Sequence, residues 1–75
     1  MGTIKRFGKV RLAVFGGEHG RAHFHLAGPG FQCSLDMETL EVLAGDAPAA
    51  VLRRVREWAK ANREIIAAAW EEWNA

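Results

Sequence analysis

The alternation of hydrophobic and polar residues is clearest in Lys9-Val10-Arg11-Leu12-Ala13-Val14-Phe15. It predicts a half-buried strand with Val10, Leu12 and Val14 on one face and Lys9, Arg11, Ala13 and Phe15 on the other. Gly16-Gly17 closes it. Residues 22–27 form a second strand, and Gly28-Pro29-Gly30 is a strong turn signal. Residues 31–36 form a third, with Phe31, Cys33 and Leu35 on one side. Residues 41–44 make a short fourth strand ending at Gly45-Asp46. The connections are too short for parallel crossovers, so the pattern reads as an antiparallel meander. Residues 1–8 are polar, basic and flanked by glycine, and they are read as lying outside the strands.

From Pro48, a favourable first helical residue, the apolar period changes. Val51, Leu52, Val55, Trp58, Ala59, Ile65, Ile66, Ala69, Trp70 and Trp73 step by three and four along one stripe. A single helix of that length would run roughly 40 Å, about twice a typical strand. Either it bends near Asn62 or its second half packs on something other than its own sheet. Asn62 lies on the apolar stripe. It is a kink, a cap for a second helix, or a register-fixing asparagine between paired helices. The expected fold is α+β: a small antiparallel three- to four-stranded sheet followed by a long C-terminal helix, kinked near Asn62 in one version. Residues 1–75 are read as a single domain, with the sheet in 1–46 and the helical tail in 47–74.

Size bears on stability. A chain of 75 residues builds a marginal core and usually needs a disulfide, a metal or a second subunit. Cys33 is the only cysteine, so an internal disulfide is excluded and a reducing compartment is expected. No signal-like segment and no membrane-length apolar run is seen. The expectation is a soluble cytoplasmic protein with no membrane partner.

The net charge is +1, but the charges are zoned. Lys5, Arg6, Lys9, Arg11 and Arg21 face Glu18 alone in the first thirty residues. Asp36, Glu38, Glu41 and Asp46 follow with no base among them. Arg53, Arg54 and Arg56 open the helical region and Glu71 and Glu72 end it, against the macrodipole preference. Arg54, Arg56 and Arg63 lack a helical partner. They can bind phosphate at a helix start or turn toward the acidic segment. Lys9, Arg11, Arg21 and Arg54 are the candidate phosphate or nucleic-acid contacts.

All three histidines fall within Glu18-His19-Gly20-Arg21-Ala22-His23-Phe24-His25-Leu26. On a strand His23 and His25 share a face, opposite Phe24 and Leu26. Three chemistries suit them. His19, His23 and His25, helped by Glu18 or Asp36, could hold a divalent metal such as zinc in an open site. His23 and His25 could divide general base and acid roles, as in RNA cleavage. The imidazoles and Arg21 could contact phosphate or an acidic partner. The plainer alternative is polar residues on an outer face, bonded to nearby backbone.

Taken together, Thr3-Ile4, Glu18-His19, His23-Phe24-His25-Leu26, the Gly28 turn, Asp36, Glu41-Val42-Leu43 with Gly45, Trp58, Asn62-Arg63-Glu64 and Trp70 resemble a bacterial family, domain of unknown function 4160. The match covers nearly the whole chain. Family members commonly carry two prolines just before the second histidine. This chain has Gly20-Arg21-Ala22 there, so a looser loop around His19 is expected. The resemblance implies no settled activity. It implies a partnership with another very small protein, in the manner of toxin–antitoxin modules.

The function these readings converge on is a non-enzymatic protein–protein interaction module. It pairs with a second copy or a small partner protein through Trp58, Asn62, Ile65, Ile66, Trp70 and Trp73. The alternatives are a metal- or histidine-dependent ribonuclease, or a DNA-binding regulator using the histidine stretch and nearby bases.

Overall fold

A computed structural model describes residues 2–17 and 20–74. Five strands form one sheet: β1 (Gly2–Phe7), β2 (Val10–Val14), β3 (His23–Gly28), β4 (Phe31–Asp36) and β5 (Val42–Asp46). They lie in chain order and pair antiparallel throughout. Two helices follow, α1 (Ala49–Ala61) and α2 (Arg63–Asn74). The class is α+β, but two expectations are overturned: the sheet has five strands rather than three or four, and the tail is two helices rather than one.

The added strand is β1, which the polar reading of residues 1–8 concealed. Its apolar residues Ile4 and Phe7 are three apart, which the two-residue period of a strand would place on opposite faces. A register shift between Thr3 and Lys5 removes the conflict. Such a bulge adds a residue to one strand, and Ile4 and Phe7 both reach the core. As the edge strand β1 also exposes Thr3, Lys5 and Arg6, and charges there discourage pairing with other chains.

The helix breaks at Asn62, whose backbone (φ −131°, ψ 33°) leaves the helical region. Its side-chain Nδ2 donates to the Trp58 carbonyl at 2.8 Å, closing α1. Its own carbonyl accepts from Ile65 and Ile66, opening α2. The break turns Ile66 into the same core as Val55 and Ala59, which a straight rod would overshoot.

Tight turns set the strand register. Phe7 pairs with Val10 across Gly8-Lys9. Gly8 has φ +64°, the conformation a two-residue hairpin demands at its first loop position. Gly28 pairs with Phe31 across Pro29-Gly30. Proline followed by a glycine at φ +79° is the type II turn signature. Leu12, Val14, Phe24, Leu26, Leu35, Val55 and Ala59 are wholly buried. Each large side chain among them contributes about 1.5–3 kcal/mol by leaving water. Both helices join this core, so both pack on one side of the sheet.

Candidate functional site

The other side of the sheet carries the candidate chemistry. Cross-strand pairing arranges it in rows. One row runs Thr3, Ala13, His25, Ser34, Ala44, and the next runs Arg6, Arg11, Ala27, Gln32, Asp46. Small side chains occupy the middle. The result is a depression of about 380 Å³ walled by Arg11, Phe15, His25 and Gln32. Ala13 and Ser34 are buried at its floor, while Arg11, Phe15 and His25 are half-buried around it.

His23 and His25 stand on one face of β3, with Phe24 and Leu26 buried on the other. Their rings lie 5.0 Å apart, and His25 meets Phe15 edge-on at 4.6 Å. His23 Nδ1 donates to the Arg21 carbonyl at 2.7 Å. That bond fixes Nδ1–H in the neutral ring and makes Nε2 its acceptor nitrogen. The pair therefore has the adjacency that metal ligation or proton transfer needs. The third proposed ligand, His19, lies outside the described residues, as does Glu18. Among the described residues no three His, Cys, Asp or Glu side chains gather as a metal ligand set.

Asp36, offered as a metal carboxylate, is committed elsewhere. Its Oδ1 accepts from the amides of Glu38 (2.7 Å) and Thr39 (3.1 Å), and its Oδ2 meets Arg21 Nε at 2.5 Å. The Thr39 and Glu38 amides, and then the Arg21 charge, outweigh burial and hold the carboxyl below its ordinary value near 3.8. Asp36 is a turn-former, and Arg21 its counter-ion. Cys33 is buried, and burial first, with Asp46 adding, raises its thiol pKa. A protonated buried thiol is a poor nucleophile and a poor ligand.

The remaining cations separate into two groups. Arg56 Nε donates to the Leu40 carbonyl at 2.9 Å, and Arg63 Nη1 to the Met37 and Glu38 carbonyls. Both helices thus hold the β4–β5 turn, where Leu40 takes φ 65°. Arg54 lies over the Phe7 ring at 5.7 Å, with Lys5 at 6.0 Å, a cation–π arrangement. Lys9 and Arg11 do come together, and they are joined by Arg6, which the sequence reading had not singled out. The clue was available: Arg6 and Arg11 sit symmetrically about the Gly8-Lys9 turn.

The helical candidates also divide. Ile66 is a core residue and Trp58 packs on the core, edge-on to Phe7. Trp70 leans on His23 at 5.3 Å between ring centres. Trp73 lies against Gly2, where an added Cβ would fall 2.3 Å from its Nε1. Asn74 donates to the Phe15 carbonyl. Ile65 and Trp73 keep 50% and 42% of their surface exposed.

This is a small α+β protein whose two helices join the core on one face of a five-stranded sheet, while the other face carries polar and aromatic chemistry that α2 touches at one end, where Trp70 meets His23. The family model for the domain of unknown function (DUF4160) matches residues 9–71, and the chain belongs to that family. No curated protein and no solved structure matches the chain. No helix among the described residues is long and apolar enough to cross a membrane.

Proposed function

We propose that this protein is a non-enzymatic, cytoplasmic interaction module, a component of a toxin–antitoxin-like pair, which first pairs with a second copy of itself through its helices. The observation that carries this reading is Ile65. It is half-exposed beside a fully used Ile66, and one turn on it shares an outer flank with the exposed Ala68. Glu64, Glu71 and Glu72 border that flank. The outer side of α1 is basic on balance: Arg53 and Lys60, with Glu57 between them, and Leu52 line a hollow of about 430 Å³ there. A two-fold dimer laying α2 of one copy along α1 of the other would match these charges twice. It would also supply the second subunit that a small core lacks.

Light scattering tests the reading. The wild-type protein is expected at twice the 8.3 kDa chain mass, and Ile65→Glu at the single-chain mass with an unchanged circular dichroism spectrum. A wild-type monomer at high protein concentration would remove it.

A further inference from the structure

The basic corner of the open face has an unexplained cost. Arg6 and Arg11 are direct cross-strand partners, and like charges placed opposite each other destabilise a sheet. Lys9 lines the same hollow of about 270 Å³. Among the described residues no carboxylate forms an ion pair with any of the three; the one ion pair found there is Arg21–Asp36. Asp46, the acid of their row, lies three strands from Arg11 and four from Arg6, about 14 Å and about 19 Å at the usual strand spacing. This cluster is suited to an anion from outside the chain.

The hollow shares Arg11 and Ala27 with the larger depression, so the two make one groove. Cations line its first half. Phe15 and His25 wall its second half, edge to face. Gln32 and Ser34 line the depression from β4, beside Ala27 and His25. An acidic peptide would satisfy the cations but leave the aromatic wall without a function. A duplex would satisfy them too, but its paired bases cannot turn a face to Phe15. A single strand uses both halves, because its phosphates meet the cations and its unpaired bases stack on rings.

We propose that this groove binds single-stranded RNA. Arg6, Lys9 and Arg11 take successive phosphates, a base stacks on the Phe15–His25 wall, and Gln32 and Ser34 face the ribose 2′-hydroxyls that distinguish RNA from DNA. This site is separate from the helical flank proposed for pairing, and it requires no chemistry at His23.

The test is fluorescence anisotropy with a labelled oligouridylate, titrated at several salt concentrations. Three phosphate contacts predict a log–log salt slope of about −2, and the Arg6→Gln, Arg11→Gln double variant should bring it to about −0.7. Phe15→Ala should weaken binding about tenfold while leaving the slope in place. If Phe15→Ala loses its fold by circular dichroism, Phe15→Leu keeps bulk there without a ring. Ile65→Glu should bind RNA like the wild type, which separates this site from the dimer. The proposal is overturned by no anisotropy change at low salt, by a slope that the double variant leaves unchanged, or by oligothymidylate or duplex RNA binding as tightly as the single strand.

Discussion

The two ends of the sheet treat the same residue type in opposite ways. At the β4–β5 turn Arg21, Arg56 and Arg63 each have a partner: a carboxylate in the first case and turn carbonyls in the others. At the β1–β2 hairpin Arg6 and Arg11 have each other as nearest cross-strand neighbours. The difference comes from the backbone. The β4–β5 connection takes an irregular path through Leu40, and the carbonyls it turns outward need donors. The two-residue β1–β2 turn leaves no such need. Arginine is therefore structural where the chain turns irregularly, and remains available for a ligand where it turns tightly.

Removing the structural arginines breaks this comparison most severely. Arg56→Ala leaves the carbonyl of the buried Leu40 without its charged donor, and should cost about 2 kcal/mol, or about 10 °C in Tm by thermal unfolding. Arg63→Ala acts at a more exposed point and should cost about 1 kcal/mol.

Acid sharpens the contrast. The Asp36 pKa is depressed in the folded chain, so its stabilisation is complete above the unfolded value near 3.8. It is lost as pH falls from there through the lower folded value. Asp36→Asn should flatten that part of the stability–pH curve. Arg21→Ala should shift it only slightly upward, because the turn amides are the larger cause. A curve moved as far by Arg21→Ala as by Asp36→Asn would reverse that ranking. The smallest effect belongs to the hairpin. Arg6→Gln should leave stability within about 0.5 kcal/mol, with any change a gain, since it relieves like-charge repulsion. A clear loss in urea unfolding would show that Arg6 has a structural partner after all.

Sequence pattern and structure agree where local period governs. The third predicted strand, residues 31–36, is β4 itself, and the common face of His23 and His25 follows from simple alternation. Pattern fails at β1, because one bulged residue puts Ile4 and Phe7 out of step with each other. It half-succeeds at Asn62. The oddity of an asparagine on the apolar stripe was visible, but its choice between kink, cap and helix pairing depends on the sheet beneath. Arg56 and Arg63 do turn toward the acidic segment, one of the two uses the sequence left open to them, although their acceptors are turn carbonyls rather than carboxylates. The fates of Arg21 and Trp70 were not legible at all. Each depends on a group distant in sequence that only the tertiary fold presents.

The contact of Trp73 with Gly2 also bears on the order in which the molecule assembles. Each hairpin closes over a few residues, whereas the Asn74–Phe15 bond spans 59 positions. Contacts of such long sequence separation carry the largest loop-closure entropy and are expected to form late. The meander would then be largely zipped before α2 settles onto β1. In hydrogen exchange, the amides of α2 should be the first of the regular structure to open, and α2 is the element whose outer flank a second copy is proposed to cover.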